Sequence, residues 1–341
     1  MIKRILMTVV GLTLLLSLTF GYVSYRSLLT PVSLPTPYLD FDIPSGSSFQ
    51  GVCKRLYAQG VLDSSLPLML YARISGQSSR IKAGEYRLDT GRTPLEILAQ
   101  FIDGRNVQHV FTIVEGWSLD ELLTALAQEP KLRHELDKPS KVSLSHTLGL
   151  EEDAMEGLFF ADSYYFSRSD TDLSVLKRAY ARMQVILSEE WQARAKGLPY
   201  KNQYEALVMA SIVEKETGLS EERAEIAGVF VRRLKKKMRL QTDPTVIYGL
   251  RESYNGNLTR KHLKTRTPYN TYVIFGLPPT PIAMAGREAI HASLHPKNGD
   301  SLYFVARGDG GHYFSSNLKE HNRAVKKYQW KRRSDYRSAP R

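Results

Sequence analysis

The sequence predicts an α+β fold behind a single N-terminal transmembrane helix, and three observations carry that prediction. Residues 5–25 are apolar and uncharged. A short strand, a glycine turn and an amphipathic helix recur between residues 38 and 127. From residue 173 the apolar spacing is helical over long stretches, and short strands return after residue 300. With 341 residues, the chain has room for an anchor and two or three packed units.

As a helix, residues 5–25 span roughly 30 Å, the thickness of a bilayer's hydrocarbon. A cleaved signal peptide fits less well, because its apolar core runs only about 7–15 residues and ends in a small-x-small site that is missing here. Lys3 and Arg4 precede the helix and only Arg26 closely follows it. That bias leaves the N-terminus cytoplasmic and the bulk of the chain exported. The tip and anchor are residues 1–29. Residues 30–37 carry three prolines and read as a stiff, extended spacer that lifts the first folded unit off the bilayer.

Folding begins near Tyr38. Phe41-Asp42-Ile43-Pro44-Ser45-Gly46-Ser47-Ser48-Phe49 and Phe111-Thr112-Ile113-Val114-Glu115-Gly116-Trp117-Ser118-Leu119 share the pattern F-x-I-x-x-G-x-S-apolar. In each, a strand reaches a glycine turn and the second-last serine position supplies a helix N-cap. A weaker copy lies between them, from Gly84 through Thr93-Pro94 to Leu98. Residues 131–145 are polar and read as a loop or a short helix and linker, which places a boundary near Leu150. The module region is therefore 38–150, the second region 151–328, and a basic tail 329–341.

In the second region a helix over 173–195 precedes a buried one over 204–217, which Gly218 stops. Ser220 opens another, with Ile226, Val229, Phe230 and Leu234 inward. Strands follow at 302–305 and 313–314, joined by the Gly308-Asp309-Gly310-Gly311 hairpin loop. No P-loop Lys-Ser/Thr follows those glycines, so they do not read as a phosphate cradle.

A formal charge of +12 on an exported, anchored chain points to an anionic polymer or a lipid headgroup surface, not to nucleic acid. The single Cys53 cannot form an intrachain disulfide and reads as a small buried hydrophobe. His291 and His295 have the i, i+4 spacing of metal ligands, yet Pro296 and the lack of an H-E-x-x-H frame make them a helix end; no metal or cofactor is expected. The basic run 232–239 reads as a solvated helix C-terminus.

The apolar run 206–213 ends in two carboxylates, Glu214 and Glu216, and about twenty-five residues later comes Gln241-Thr242-Asp243-Pro244-Thr245. Burial raises a carboxylate's pKa and lets it hold a proton near neutral pH, as a general acid must. Free Glu, near pKa 4.3, is protonated about one part in 500 at pH 7; at a pKa of about 6.5 the fraction is about one in four. Residues i and i+2 lie roughly 200° apart on a helix, so only one of the two enters a given cleft. Glu214 continues the face of Leu207, Ala210 and Ser211, whose small side chains leave room for a ligand, and spacing mildly prefers it.

The motifs ASIVEKET, LQTDPTVIYGL, PYNTYVIFGLPPTPI and YFVARGDGGHYFSSNLKEHNRAV, with EGLFFADSYYF at 156–166, closely resemble the MltG, or YceG-like, endolytic murein transglycosylases. The resemblance runs from the anchor to about Tyr328. It implies an inner-membrane protein with LysM-like strand/helix modules and a mixed α+β periplasmic catalytic domain that cuts peptidoglycan glycan strands internally. It transfers the catalytic role to Glu214 and leaves Glu216 in a supporting one. Glu156, Asp162, Tyr164, Gln241, Asp243, Tyr269 and Asn270 become candidates to shape the cleft. Ala161 and Ser163 stand where the family pattern has Pro and Thr, and Arg232 departs from its N-R-L. Association with penicillin-binding synthases is implied by the same resemblance.

The reaction so implied has Glu214 protonate the glycosidic oxygen between N-acetylmuramic acid and N-acetylglucosamine. The muramic C6 hydroxyl then attacks C1 and closes a 1,6-anhydro ring, its proton passing to the carboxylate. An intramolecular nucleophile makes one carboxylate sufficient. A lysozyme-type hydrolase, with Asp243 or Asp162 activating water, would give products heavier by one water. A noncatalytic wall-binding scaffold would cut nothing.

Overall fold

The computed structural model describes residues 2–135, 141–149, 155–168 and 170–330. The chain divides into two compact units: Met1–His109 with Lys131–Arg133 and Tyr165–Thr171, and Val110–Pro130 with His134–Tyr164 and Asp172–Arg341.

The first unit opens with α1 (Ile2–Leu29), followed by β1 (Tyr38–Ile43), α2 (Phe49–Ala58), α3 (Leu66–Ile74), β2 (Gly84–Asp89) and α4 (Pro94–Asp103). α1 contains a window, Ile5–Leu29, long and apolar enough to cross a membrane. β1 and β2 pair antiparallel from Tyr38↔Asp89 to Ile43↔Gly84. Their alternation buries Phe41, Ile43, Tyr86 and Leu88 against Val52, Leu56, Ile97 and Phe101 of α2 and α4. Ser48 caps α2 by accepting from the Gly51 amide, and Thr93 forms a reciprocal capping box with Glu96. Gly46 sits at φ 78°, as the turn before the cap requires. Cys53 is fully buried, which pushes its thiol up to about 12.

The spacer expectation needs correction. Residues 30–37 form neither helix nor strand, but they are not free of the fold: the Val32 amide donates to the Arg92 carbonyl at 2.8 Å, and the Gly91 amide donates to the Val32 carbonyl at 2.9 Å. Leu28 and Val32 are buried in the first unit's core. The prolines keep this stretch out of a helix, and the buried Leu28 and Val32 side chains secure it to the unit.

The second unit contains most of β3 (His109–Thr112), then α5 (Leu119–Ala127), α6 (Lys141–Leu148), the start of β4 (Ser163–Phe166), α7 (Asp172–Ala193), α8 (Gln203–Glu216), α9 (Ser220–Lys235), α10 (Asp243–Leu250), α11 (Arg260–Lys264), α12 (Arg287–Leu294), β5 (Tyr303–Ala306), β6 (His312–Ser315) and α13 (Leu318–Val325). Ser118 caps α5 in a second capping box, so the repeated serine pattern has the same local outcome in both places. The Leu150 boundary and the tail beyond Trp330 lie outside the described residues.

α8 is the centre of the second unit. Every residue from Ala206 to Val213 is buried, which a helix apolar on all sides requires, and α7, α9, α10 and α12 pack around it. The helix ends differently from expectation: Thr217 turns extended at φ −148° and its hydroxyl accepts from the Leu219 amide, while Gly218 has no left-handed φ. The 308–311 loop does join an antiparallel hairpin, β5–β6.

Gly157, at φ 76°, lies where a Cβ would come within 2.5 Å of Pro281 Cβ and 3.1 Å of the Ala283 carbonyl. Gly157→Ala is expected to destabilise the second unit by about 2 kcal/mol or more through backbone strain and overpacking. A thermal unfolding scan against the parent chain checks this.

Candidate active site

The two carboxylates at the end of α8 have separate environments. Glu214 Oε2 accepts from the Gly286 amide at 2.9 Å, at the N-terminus of α12, and Oε1 lies 3.3 Å from Arg223 Nη2. Its side chain is 5% exposed. Arg223 in turn contacts Glu115 at 3.7 Å and pairs with Glu288. Burial raises the Glu214 pKa and the carboxylates of Glu115 and Glu288 add to that, while the Gly286 amide and Arg223 oppose it. Both of its oxygens are engaged by donors that favour the charged form.

Glu216 stands at the edge of a cleft of about 580 Å³, with Gln241, Thr242, Asp243, Tyr272 and Arg233 around it and β5, β6 and α13 beyond. The Thr242 hydroxyl donates to Glu216 Oε1. Burial, against the pull of the Thr242 hydroxyl and Arg233 and with the Asp243 charge adding to it, brings the Glu216 carboxyl up to about 7. Half-protonation near neutral pH, at the end of a buried helix, is the state expected of a general acid.

The local fold explains how the cleft wall is held. Gln241 adopts φ 53° and its amide donates to the Thr271 carbonyl, which turns Thr242 inward at the start of α10. The Thr242 amide donates to Thr271 Oγ1, and the Thr245 hydroxyl shares a 2.9 Å hydrogen bond with Thr271. Tyr272 donates its hydroxyl to Asp243 Oδ1 at 2.7 Å. Asn270 is buried and braces the loop, donating from Nδ2 to the His262 and Thr265 carbonyls and accepting the Tyr272 amide.

Arg233 and Arg232 correct the expectation of a solvated basic face. Arg233 is buried and donates to the Leu302, Arg239 and Leu240 carbonyls, and Arg232 donates to those of Ser301 and Lys297. Carbonyls at a helix end and in the following loop are natural acceptors for a guanidinium fork. Lys235, Lys236, Lys237 and Arg239 remain exposed.

Of the other candidates, Gln241 and Asp243 line the cleft with Glu216. Glu156 is buried, accepting the Leu119 amide and the Tyr248 hydroxyl, and so ties the start of α5 to α10. Tyr164 donates to the Phe160 carbonyl, and Tyr269 bonds Thr280 while packing edge-on to Tyr248. Asp162 lines a separate depression with Glu115, Arg223 and Glu288. Thr242, Thr271, Tyr272 and Arg233 are not among the site residues the sequence singles out; the first three belong to the QTDPT and YNTY segments, whose proximity only the fold creates, and Arg233 shows only as part of the basic run 232–239.

Glu190 joins His291 and His295, the three offering ligand-type atoms within 4.8 Å of one another. Each is already engaged: Glu190 accepts from Arg287 Nε and from His291 Nδ1, and His295 Nε2 lies 2.9 Å from the Ala193 carbonyl.

The YceG-like family model matches residues 41–327. The chain is similar to an endolytic murein transglycosylase of Bacillus subtilis (strain 168), 33% identical over 325 residues, with 89% of this chain and 88% of the relative covered. It is also similar to an endolytic murein transglycosylase of Streptococcus pneumoniae serotype 2 (strain D39 / NCTC 7466), 28% identical over 341 residues, covering 90% of this chain and 61% of the relative. Among solved structures, a yceG-like protein of Listeria monocytogenes matches with a TM-score of 0.54 and 30% identity, covering 84% of this chain and 98% of that one.

Because the Thr242 hydroxyl favours the charged form of Glu216, Thr242→Val is expected to move the titration of that carboxyl to higher pH. Carboxyl ¹³C shifts followed by NMR, with Glu216→Gln identifying the signal, measure the displacement.

Proposed function

The chain belongs to the YceG-like family, and from that premise we propose that it is a lytic transglycosylase acting on peptidoglycan, with Glu216 rather than Glu214 as its proton donor. The observation that carries the reading is Glu216 itself: a carboxyl held near pKa 7 on a cleft lined by Gln241, Thr242, Asp243 and Tyr272. Glu214 has the same helix and a similar burial, but its oxygens are committed to Arg223 and the Gly286 amide. Its part is to fasten α8 to α9 and α12.

In the proposed reaction, protonated Glu216 donates to the oxygen between N-acetylmuramic acid and N-acetylglucosamine as positive charge develops at C1. The resulting carboxylate takes the proton of the muramic C6 hydroxyl while that oxygen attacks C1. A 1,6-anhydro end forms and Glu216 is restored to its acid form. Asp243 serves twice, keeping Glu216 protonated by its charge and facing the developing cation. Tyr272 fixes its position.

The wider setting is part of the same reading. α1 anchors the chain in the inner membrane with its N-terminus cytoplasmic, the strand-turn-helix modules of the first unit are LysM-like and grip glycan, and the anchor restricts cutting to nascent strands beside penicillin-binding synthases.

Glu216→Gln is expected to lower release of anhydro-ended fragments from purified sacculi by about 10²–10⁴-fold, whereas Glu214→Gln retains most of the parent rate once corrected for folded protein. The reverse ranking returns the acid role to Glu214. Fragments heavier by one water would identify a hydrolase, and undiminished glycan binding with no cleavage by the parent chain a scaffold. The pH dependence has a definite sign: the acid form of Glu216 is present below about pH 7 and is lost above it. Cleavage measured as kcat/KM is therefore expected to fall as pH rises through that value, and a flat profile from pH 6 to pH 9 would exclude Glu216 as the donor.

A further inference from the structure

One face of α3 is apolar and uncovered within its own unit. Leu68 and Ala72 point into the core, while Leu66, Leu70 and Ile74 are 44%, 40% and 85% exposed. At successive i, i+4 spacings they form a single stripe along the helix. Three aliphatic side chains aligned in this way differ from the scattered apolar residues of an ordinary surface.

The position of the stripe says what covers it. α3 packs against α1, and the end of α1 and the start of α3 share a cavity lined by Leu28, Thr30, Val32, Pro67 and Leu68. The candidate spanning stretch of α1 runs to Leu29, which is itself 44% exposed. The α3 stripe therefore starts beside the point where the spanning segment ends. Arg26 near the end of α1, Arg73 near the end of α3 and Arg80 beyond it are exposed, and cations of this kind favour the level of anionic headgroups.

We propose that α3 lies in the interfacial layer of the membrane that α1 crosses, with Leu66, Leu70 and Ile74 turned into the acyl boundary and the flanking arginines at the headgroups. The proposal rests on reading α1 as a membrane-spanning helix. A second protein copy fits the stripe poorly, because three side chains fall far short of the roughly 1,200–2,000 Å² that a stable interface buries. A lipid surface needs no such area here, since α1 already holds α3 beside it and makes the contact intramolecular in effect.

The test uses the full chain in vesicles of mixed neutral and anionic phospholipid. Its one native thiol, Cys53, is fully buried, so an introduced cysteine takes a nitroxide label selectively. Ile74→Cys and Leu70→Cys are compared with Ser17→Cys, midway along α1, and Asp42→Cys, exposed on β1, by collision with oxygen and with a water-soluble nickel chelate. Labels at 70 and 74 are expected to meet the nickel reagent several-fold less often than the label at 42, and oxygen more often. A label at 74 that behaves like that at 42 while 17 is dry overturns the proposal and leaves the anchor intact. Dipolar broadening at 74 that grows with the protein-to-lipid ratio also overturns it, by identifying a second copy on this face. A wet position 17 removes the spanning helix and the proposal with it.

Discussion

The second unit depends on a helix that is apolar on every side and ends in two acids. Burying α8 withdraws Glu214 and Glu216 from water together, and ionised carboxylates in such surroundings must be compensated or neutralised. The chain surrounds the two differently, and both are raised above the ordinary carboxylate value. Glu214 receives a guanidinium and a helix N-terminal amide. Glu216 receives one hydroxyl and the pull of Arg233, set against a neighbouring negative charge. Two residues apart in sequence, the pair meets two different environments, which α9 and α12 supply for Glu214 and the start of α10 for Glu216.

This division explains which parts of the site were legible beforehand. The helix, its burial and its terminal acids could be read from the run 206–217, and the QTDPT segment was visibly an interruption of apolar sequence. Helical geometry correctly says that Glu214 and Glu216 face different ways, but it contains no information about what each face meets. Arg223 lies one turn into the next helix and Gly286 is 72 residues from Glu214 in sequence, so the groups that occupy Glu214 are invisible to spacing. The small residues Ala210 and Ser211 suggested a space for ligand; in the fold that space is filled, and the Ser211 hydroxyl accepts the Ile282 amide.

The fold was legible where local chemistry decides it. Ser48, Thr93 and Ser118 cap the helices their sequence context implies, and the alternation of Phe41 and Ile43 matches a one-sided strand. It was less legible where long-range partners decide it. Charge alone made residues 232–239 look solvated, yet Arg232 and Arg233 are drawn in by carbonyls near residue 300 and at 239–240. Prolines made residues 30–37 look detached, yet Val32 pairs with a turn sixty residues away.

That last feature has a mechanical side. With Leu28 and Val32 both inside the first unit's core, no slack separates the end of α1 from the body that follows. The uncharged apolar run of residues 5–25 is roughly 31 Å long at about 1.5 Å per residue, close to the about 30 Å of an average hydrocarbon layer, and in a thinner layer a helix of that length leans over. Any such lean is transmitted rigidly, so a thicker or thinner lipid patch would rotate the first unit like the head of a lever, turning local bilayer composition into an orientation of the protein above it.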